Sequence, residues 1–473
     1  MPDSVTLVSL SGYGDTMEET RVVVIGAGIS GLTAARRLAQ SGCEAVVLEA
    51  RDRVGGRTLN HTFEDGTVVE MGGQWVGPTQ DRVLALLDEI GLGTFPTYND
   101  GMDLLVARSS QTRPKKVKGQ RMMMAPQVLI DLGVAQQRLH RMARTVPLME
   151  PWTAARAAEW DGQTAESWLR RNVRTRVARD FLRLMVTSVF SCEATDVSLL
   201  HLLFYCHSGG LWDRLLGTAN GAQQDRIMGG SQSLSIRMAE TIDVRLASPV
   251  RRVDHDDTGV TVHHDGAGGK IRAQALVSAL PPMLTGRIGW NPGLGGQREQ
   301  LTQNVPMGAV IKTMTVYDEP WWRADELSGQ AFSLVDPVSV VFDNSPPDSS
   351  RGVLLAFIEG RAARDLGPIP MHERREVVTR QLQRFFGDRA LRSIDYVEQD
   401  WCQEEWSGGC YSGRMTPGVW TQLGPALRQP IGRLHWAGTE TADVWNGYFD
   451  GAVRAGERAA TEVAVMLGIE SDA

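Results

Sequence analysis

The chain has 473 residues, 42% of them hydrophobic and 22% charged, which is more than one hydrophobic core usually organises and so points to two domains. Its formal net charge of −7 argues against a nucleic-acid partner, which wants a basic face. Five scattered cysteines, Cys43, Cys192, Cys206, Cys402 and Cys410, suit a reducing compartment better than a disulfide framework.

Residues 1–20 carry acids and no basic segment ahead of an apolar block, so they read as a disordered leader and not as a signal peptide. The uncharged stretch 22–35 is too short and too Gly-rich for a membrane span. A cytoplasmic location without a membrane anchor is therefore expected. An apolar strand at 22–25 runs into Gly26-Ala27-Gly28-Ile29-Ser30-Gly31, a helix follows, and a second apolar strand, 45–48, ends at Glu49-Ala50. In such a βαβ unit the glycines let the backbone turn tightly and approach a pyrophosphate. The helix N-terminus attracts the pyrophosphate's charge, and an acid 21 residues past Gly28 grips a ribose hydroxyl. The alternative, an ordinary tight strand-to-helix turn, explains the glycines but not the carboxylate. Next comes Arg51-Asp52-Arg53-Val54-Gly55-Gly56-Arg57, a second glycine pair flanked by arginines and suited to another close approach to phosphate. This element resembles the extended FAD fingerprint of the glutathione-reductase-like flavoproteins, and the resemblance favours FAD over NAD.

Further along, Met71-Gly72-Gly73-Gln74-Trp75-Val76 is a Gly-rich segment suited to passing close to a flat ring. From 94 to 227 the pattern turns helical and charged and is expected to form a separate helical insertion, with the basic run 113–118 as a solvated loop. Strands return at 250–253, 260–262 and 275–280. Lys312 interrupts an apolar, β-branched strand, 310–317. It either faces solvent on an alternating strand or is buried, and burial requires a partner for its charge. Near the end, Gly438-Thr439-Glu440-Thr441-Ala442 and Asn446-Gly447-Tyr448-Phe449 lead into a helix over 452–467, whose free N–H groups form an electropositive end. The histidines show no ligand spacing: His263 and His264 are adjacent on a strand and His201 and His207 lie six apart, so no metal is expected.

Taken together, the N-terminal fingerprint, the segment ending at Gln80, Val310-Ile311-Lys312, Ser407-Gly408-Gly409-Cys410-Tyr411 and Gly438-Thr439-Glu440 resemble the flavin monoamine oxidase family over about residues 21–467. The resemblance implies an α/β (α+β) fold in which a glutathione-reductase-like, FAD-binding Rossmann domain is interleaved with a mixed-sheet plus helical substrate domain. The first would take residues 21–94, 228–300 and 404–468 and the second 95–227 and 301–403, with a tail at 469–473. It also implies a homodimer.

Residue by residue, the resemblance makes Lys312 the holder of a water against flavin N5, with Tyr411 and Tyr448 as two rings that strip water from an amine and aim its α-carbon. Cofactor contacts are expected from Gly26, Gly28, Ser30, Gly31, Glu49, Ala50, Arg51, Gly56, Arg57, Gly72, Gly73, Gln74, Trp75, Val250, Trp401, Trp406, Cys410, Gly438, Thr439, Glu440, Gly447 and Tyr448. Cys410 matches the position where mitochondrial members attach FAD through a thioether; other members keep the cysteine and leave the flavin unattached, so both arrangements stay open here. Gln80, Leu216, Gln223 and Val340 match positions lining the substrate cavity.

The implied reaction is the oxidation of a primary amine to an imine, then to aldehyde and ammonia, with dioxygen reduced to hydrogen peroxide. Orientation, desolvation and electrostatics come from the protein. An alkyl ammonium has a pKa of about 10, so binding as the free base implies activity that rises with pH. Neither a distal carboxylate for a diamine nor an arginine for an amino acid stands at the matched positions. This favours an arylalkyl or alkyl monoamine over putrescine, a polyamine or an L-amino acid. A flavin-dependent lipid desaturase shares the N-terminal fingerprint but would lack the lysine and the paired tyrosines, and a non-catalytic binding scaffold would not need them.

Overall fold

The computed structural model describes residues 17–107, 113–118 and 124–469. Two large sheets organise it. The first, of eight strands, runs Asp243–Arg245, Ala45–Leu48, Glu18–Ile25, Lys270–Ser278, Val260–His264, Val250–His255 and Gly289–Asn291, with Leu434–Trp436 added beside Lys270–Ser278. The central strands are parallel. Val22 and Val24 enter one apolar cluster while Val23 and Ile25 enter another on the opposite face. Burial on both faces is why this strand is a continuous apolar run without alternation.

Helices Ile29–Gln40 and Phe449–Met466 pack on one another against one face of this sheet. A Cβ at Gly456 would stand 2.4 Å from the Ser30 carbonyl oxygen, and only glycine permits that approach.

The second sheet has seven strands in the order Asp395–Asp400, Val310–Tyr317, Gly352–Glu359, Val338–Asp343, Leu327–Ser333, Met102–Val106 and Lys115–Val117. Every residue of Val310–Tyr317 is buried. Ile311, Leu354, Ala356 and Ile358 face the helix Met371–Phe386, while Val310, Met314, Leu355 and Phe357 face the other way. Helices Pro126–Ala143, Ala165–Asn172, Arg176–Phe190 and Leu199–Ser208 contribute to a separate apolar core.

Three sequence expectations need correction. The first strand begins at Glu18, inside the expected leader, because Glu18 and Thr20 pair with Ile271 and Ala273 and the Glu18 carboxylate bonds the Arg245 guanidinium; residues 1–16 lie outside the described residues. The segment 94–227 is not purely helical. Met102–Val106 pairs in parallel with Leu327–Ser333, a partner over two hundred positions away that no local turn signal announces. The basic run 113–118 contains a short edge strand, Lys115–Val117, with Val117 buried and the two lysines exposed on the sheet's outer edge.

Arg226 fastens these parts together. Its Nη2 lies 2.7 Å from Glu70 Oε2, and its Nη1 donates to the carbonyls of Asn344 (3.0 Å) and Ser345 (2.9 Å), next to the second sheet. Both charged side chains are almost fully buried. Removing one member of such a pair strands the other charge away from water. Arg226→Ala is expected to lower the unfolding free energy by about 3–5 kcal/mol, read from urea denaturation, and adding Glu70→Leu to that variant should recover part of the loss.

Candidate functional site

The βαβ turn forms an open cradle. Gly26 adopts φ +99°, and a Cβ at Gly31 would fall 2.0 Å from the Gly26 carbonyl oxygen, so the turn requires both glycines. Gly28 is different: nothing lies within 4 Å of where its Cβ would be, so its face is open to a ligand. No side chain caps the helix that starts at Ile29, which leaves its first N–H groups free for an anion. The Glu49 carboxylate accepts from Ala27 N (2.7 Å) and Arg51 N (3.0 Å), fixing it at the end of its strand beside the cradle. Gly55 N donates to Ala27 O, and Gly56, with φ +57°, comes within 3.4 Å of Gly28 Cα once a Cβ is drawn on it.

The C-terminal motif closes on the same cradle. Ser30 Oγ accepts from Gly438 N at 2.8 Å, and Arg57 lies 2.6 Å from the buried Glu440 carboxylate while donating to the Tyr411 carbonyl at 2.9 Å. Arg51 donates to Ser407 Oγ at 2.8 Å, and Thr439 Oγ1 donates to Tyr448 O at 2.9 Å. The helix Phe449–Met466 is likewise uncapped by a side chain at its N-terminus. Open glycine, free helix N-terminus, paired acid and arginines fit a flavin dinucleotide.

Beside the cradle is a cavity of about 570 Å³. One row across four adjacent strands of the second sheet, Lys312, Phe357, Val340 and Phe332, lies in cross-strand register, so all four side chains leave the same face, and all four line the cavity. Lys312 is 2% exposed, which excludes the solvent-facing reading. Its Nζ donates to Gly72 O (2.7 Å) and Gln74 Oε1 (2.5 Å). Burial pulls its pKa down to about 7, against the opposing pull of the Glu70 carboxylate. Gln74 passes the chain on to Asn344 (2.6 Å), which donates to Glu70 Oε2 (3.3 Å).

Tyr411 and Tyr448 both line this cavity, with Gly72, Gly73, Gln74, Trp75 and Gly447. Tyr411 meets Phe357 edge-on at 5.9 Å between ring centroids. Tyr448 meets Trp445 at 4.9 Å and Tyr205 at 6.0 Å. Burial raises both phenols above the ordinary tyrosine range.

Leu216, Gln223 and Val340 stand in the wall, where Gln223 Nε2 donates to Leu215 O at 2.9 Å. Gln80 does not. It occupies the N-cap position of helix Asp81–Glu89, where its backbone carbonyl receives Leu84 N, and its fully buried side chain is outside the cavity lining. Trp401 is buried beside Cys410 and donates to Met71 O at 2.9 Å. Trp406 instead lies under the Arg251 guanidinium, 5.5 Å away. Val250 packs on the first sheet's apolar cluster, two residues past Ser248, whose N–H bonds Glu49 O, and Ala50 lies in the turn next to it. The Cys410 thiol is buried and pushed up to about 12.

Sequence reasoning missed several wall residues, among them Phe357, Glu359, Phe332 and Tyr205. Tyr205 had a signal in the apolar helix Leu199–Ser208, whose lack of a polar face marks it as buried. Glu359 had one in the single acid ending the apolar strand Gly352–Glu359.

The family model for flavin containing amine oxidoreductases matches residues 29–464. Mycobacterium tuberculosis AofH, named as a flavin-containing monoamine oxidase, is 42% identical over 94% of this chain and 97% of its own. A putrescine oxidase solved with putrescine bound superposes with TM-score 0.90 at 33% identity, covering 94% of this chain and 99% of that one. Cyclohexylamine oxidase from Brevibacterium oxydans gives TM-score 0.89 at 31% identity over 95% and 99%.

Proposed function

The chain belongs to the flavin-containing amine oxidoreductases and is an FAD-dependent enzyme that oxidises amines, and on that premise we propose that its substrate is a lipophilic primary monoamine, arylalkyl or alkyl. The wall of the cavity supports this reading: Leu132, Phe181, Leu184, Leu216, Phe332 and Val340 offer apolar surface to a hydrocarbon group. No arginine lines the cavity among the described residues, so an amino-acid carboxylate has no guanidinium to meet. Three carboxylates do reach the lining, and each is poorly placed for a second ammonium. Asp103 is bonded by Ser328 Oγ at 2.6 Å, Asp213 is exposed at the rim, where an ion pair gains little, and Glu359 sits next to Tyr411, not at the opposite end.

Bound FAD would supply the two-electron acceptor for the amine's α-carbon, with dioxygen as the final oxidant and hydrogen peroxide as its product. Tyr411 and Tyr448 confine the amine between aromatic surfaces and exclude water from it. Lys312, anchored on Gly72 O and Gln74, points its amine into the same cavity and positions a water there. The uncapped start of Phe449–Met466 would offer positive potential to a flavin that gains negative charge on reduction. No helix of the described residues is long and apolar enough to cross a membrane; we place the enzyme in the cytoplasm and, by family resemblance, as a homodimer.

Steady-state kinetics with peroxide readout test the substrate class: benzylamine or phenethylamine should exceed putrescine and L-amino acids in kcat/KM, and a preference for putrescine overturns the monoamine reading. Lys312→Met replaces a desolvated amine by an apolar chain of similar length. It is expected to keep or raise Tm while lowering kcat at least about tenfold, on the scale of removing a group that acts on the transition state. Because burial holds the Cys410 thiol protonated and a thioether needs the thiolate, acid precipitation should leave the yellow colour in the supernatant. Colour in the pellet would mark a covalent flavin.

A further inference from the structure

Glu359 ends the strand Gly352–Glu359, is 4% exposed and lines the amine cavity. Its carboxylate is surrounded by hydroxyls from three separate parts of the chain. Tyr411 Oη donates to Oε1 at 3.0 Å, Ser191 Oγ to Oε1 at 3.3 Å and Ser339 Oγ to Oε2 at 2.8 Å. Two of these donors sit on irregular backbone. Ser191 ends the helix Arg176–Phe190 at φ +48°, a left-handed conformation that favours glycine, and Ser339 falls in a register shift between Val338 and Val340. Irregularities that converge on one carboxyl mark a built site. Glu359 is the one acid in an otherwise apolar strand.

We propose that Glu359 receives, through the Tyr411 hydroxyl, the proton that an incoming ammonium must shed before its α-carbon can be oxidised. The inference rests on the amine lying beside Tyr411, as in the function proposed above. One N–H bond of the ammonium breaks and its electron pair stays on nitrogen. The proton joins the Tyr411 oxygen as the phenolic proton passes to Glu359 Oε1. A cation and a carboxylate thereby become a neutral amine and a neutral acid, with no change of oxidation state. In an apolar cavity that exchange removes two buried charges at once.

The groups facing Glu359 agree with the role. Burial raises its pKa to about 7, opposed by the three hydroxyls and reinforced by the Glu193 carboxylate, which is itself held by Arg361 N at 2.5 Å and near Arg364. On the adjacent strand Val310–Tyr317 the titratable neighbour is Lys312, separated from it by the Phe357 position and also poised near 7. On the Tyr411 segment it is Cys410, held as the neutral thiol.

The test is kcat/KM against pH from 6 to 10.5 on the holoenzyme, with whichever amine of the panel gives the highest value, so that a wrong substrate class and a wrong role for Glu359 fail separately. In place of the rise with pH that free-base binding would give, the wild-type curve should rise to about pH 7.5 and then stay within about threefold up to the amine's own pKa of about 10, because the ammonium is the form taken up and its proton is accepted inside. Glu359→Gln keeps an acceptor for Tyr411 Oη but takes no proton. Its kcat/KM should climb about tenfold per pH unit, so that the value at pH 7.5 is about 100-fold below that at 9.5. Tyr411→Phe cuts the same link and should show the same lost plateau, whatever its kcat. A wild-type curve that itself climbs tenfold per unit from 7.5 to 9.5, or a Gln or Phe variant that keeps the plateau, overturns the proposal.

Discussion

A lysine amine deep inside a protein survives only where its donors are received, and in this enzyme that requirement fixes how the two large sheets meet. Lys312 leaves the second sheet, and its acceptors, Gly72 O and Gln74, come from the glycine-rich segment that follows the nucleotide-binding unit. From Gln74 the hydrogen bonds continue to Asn344 and Glu70 and end on Arg226. Each link is buried, so each omission would leave a polar group without water or partner. The lysine's reach therefore sets the distance between the amine-facing sheet and the segment expected to run along the flavin.

The cradle obeys a different constraint, close approach of backbone. Gly31 against Gly26, Gly456 against Ser30 and the Ser30–Gly438 bond draw the first βα turn, the last helix and the C-terminal motif to one place, though the chain separates them by more than four hundred residues. Arg57 and Glu440 seal the seam with an ion pair whose carboxylate is buried and whose half-buried guanidinium also holds the Tyr411 carbonyl. A cage tyrosine is thus attached to the cofactor cradle itself. Catalysis that depends on aiming an α-carbon gains most from such rigid mutual placement.

How much of this could be read from the chain follows from the range of each signal. The βαβ turn is local, and its glycines, flanking strands and Glu49 all stand within about thirty residues, so it was legible. Lys312 was ambiguous, because an apolar strand with one lysine fits either a half-exposed edge or a core strand, and only the neighbours Gly352–Glu359 and Asp395–Asp400 decide that it is central. Met102–Val106 was not legible, since its parallel partner is remote. Gln80 stands outside the cavity lining, at the N-cap position of a helix, and matching a position in a motif does not say which wall its side chain joins. Glu359 escaped notice for a related reason: its meaning comes from Ser191, Ser339 and Tyr411, which approach it only through a helix end, a strand irregularity and a glycine-rich turn.

One sheet face carries both a buried amine and a buried carboxyl, and they do not neutralise each other. Lys312 stands opposite Phe357, and Glu359 is two residues farther along the same strand, a diagonal separation of roughly 7–8 Å; no ion pair joins them. Had they paired, each would have been locked in its charged form, the lysine pushed up and the acid pushed down. Burial instead moves both toward neutrality, to about 7. The phenyl ring between them thus keeps two proton-exchanging groups independent, one anchored beside the cofactor cradle and the other beside a cage tyrosine. A cavity arranged in this way holds no locked ion pair and still has a group that can take a proton, the combination that converting an ammonium into an oxidisable free amine requires.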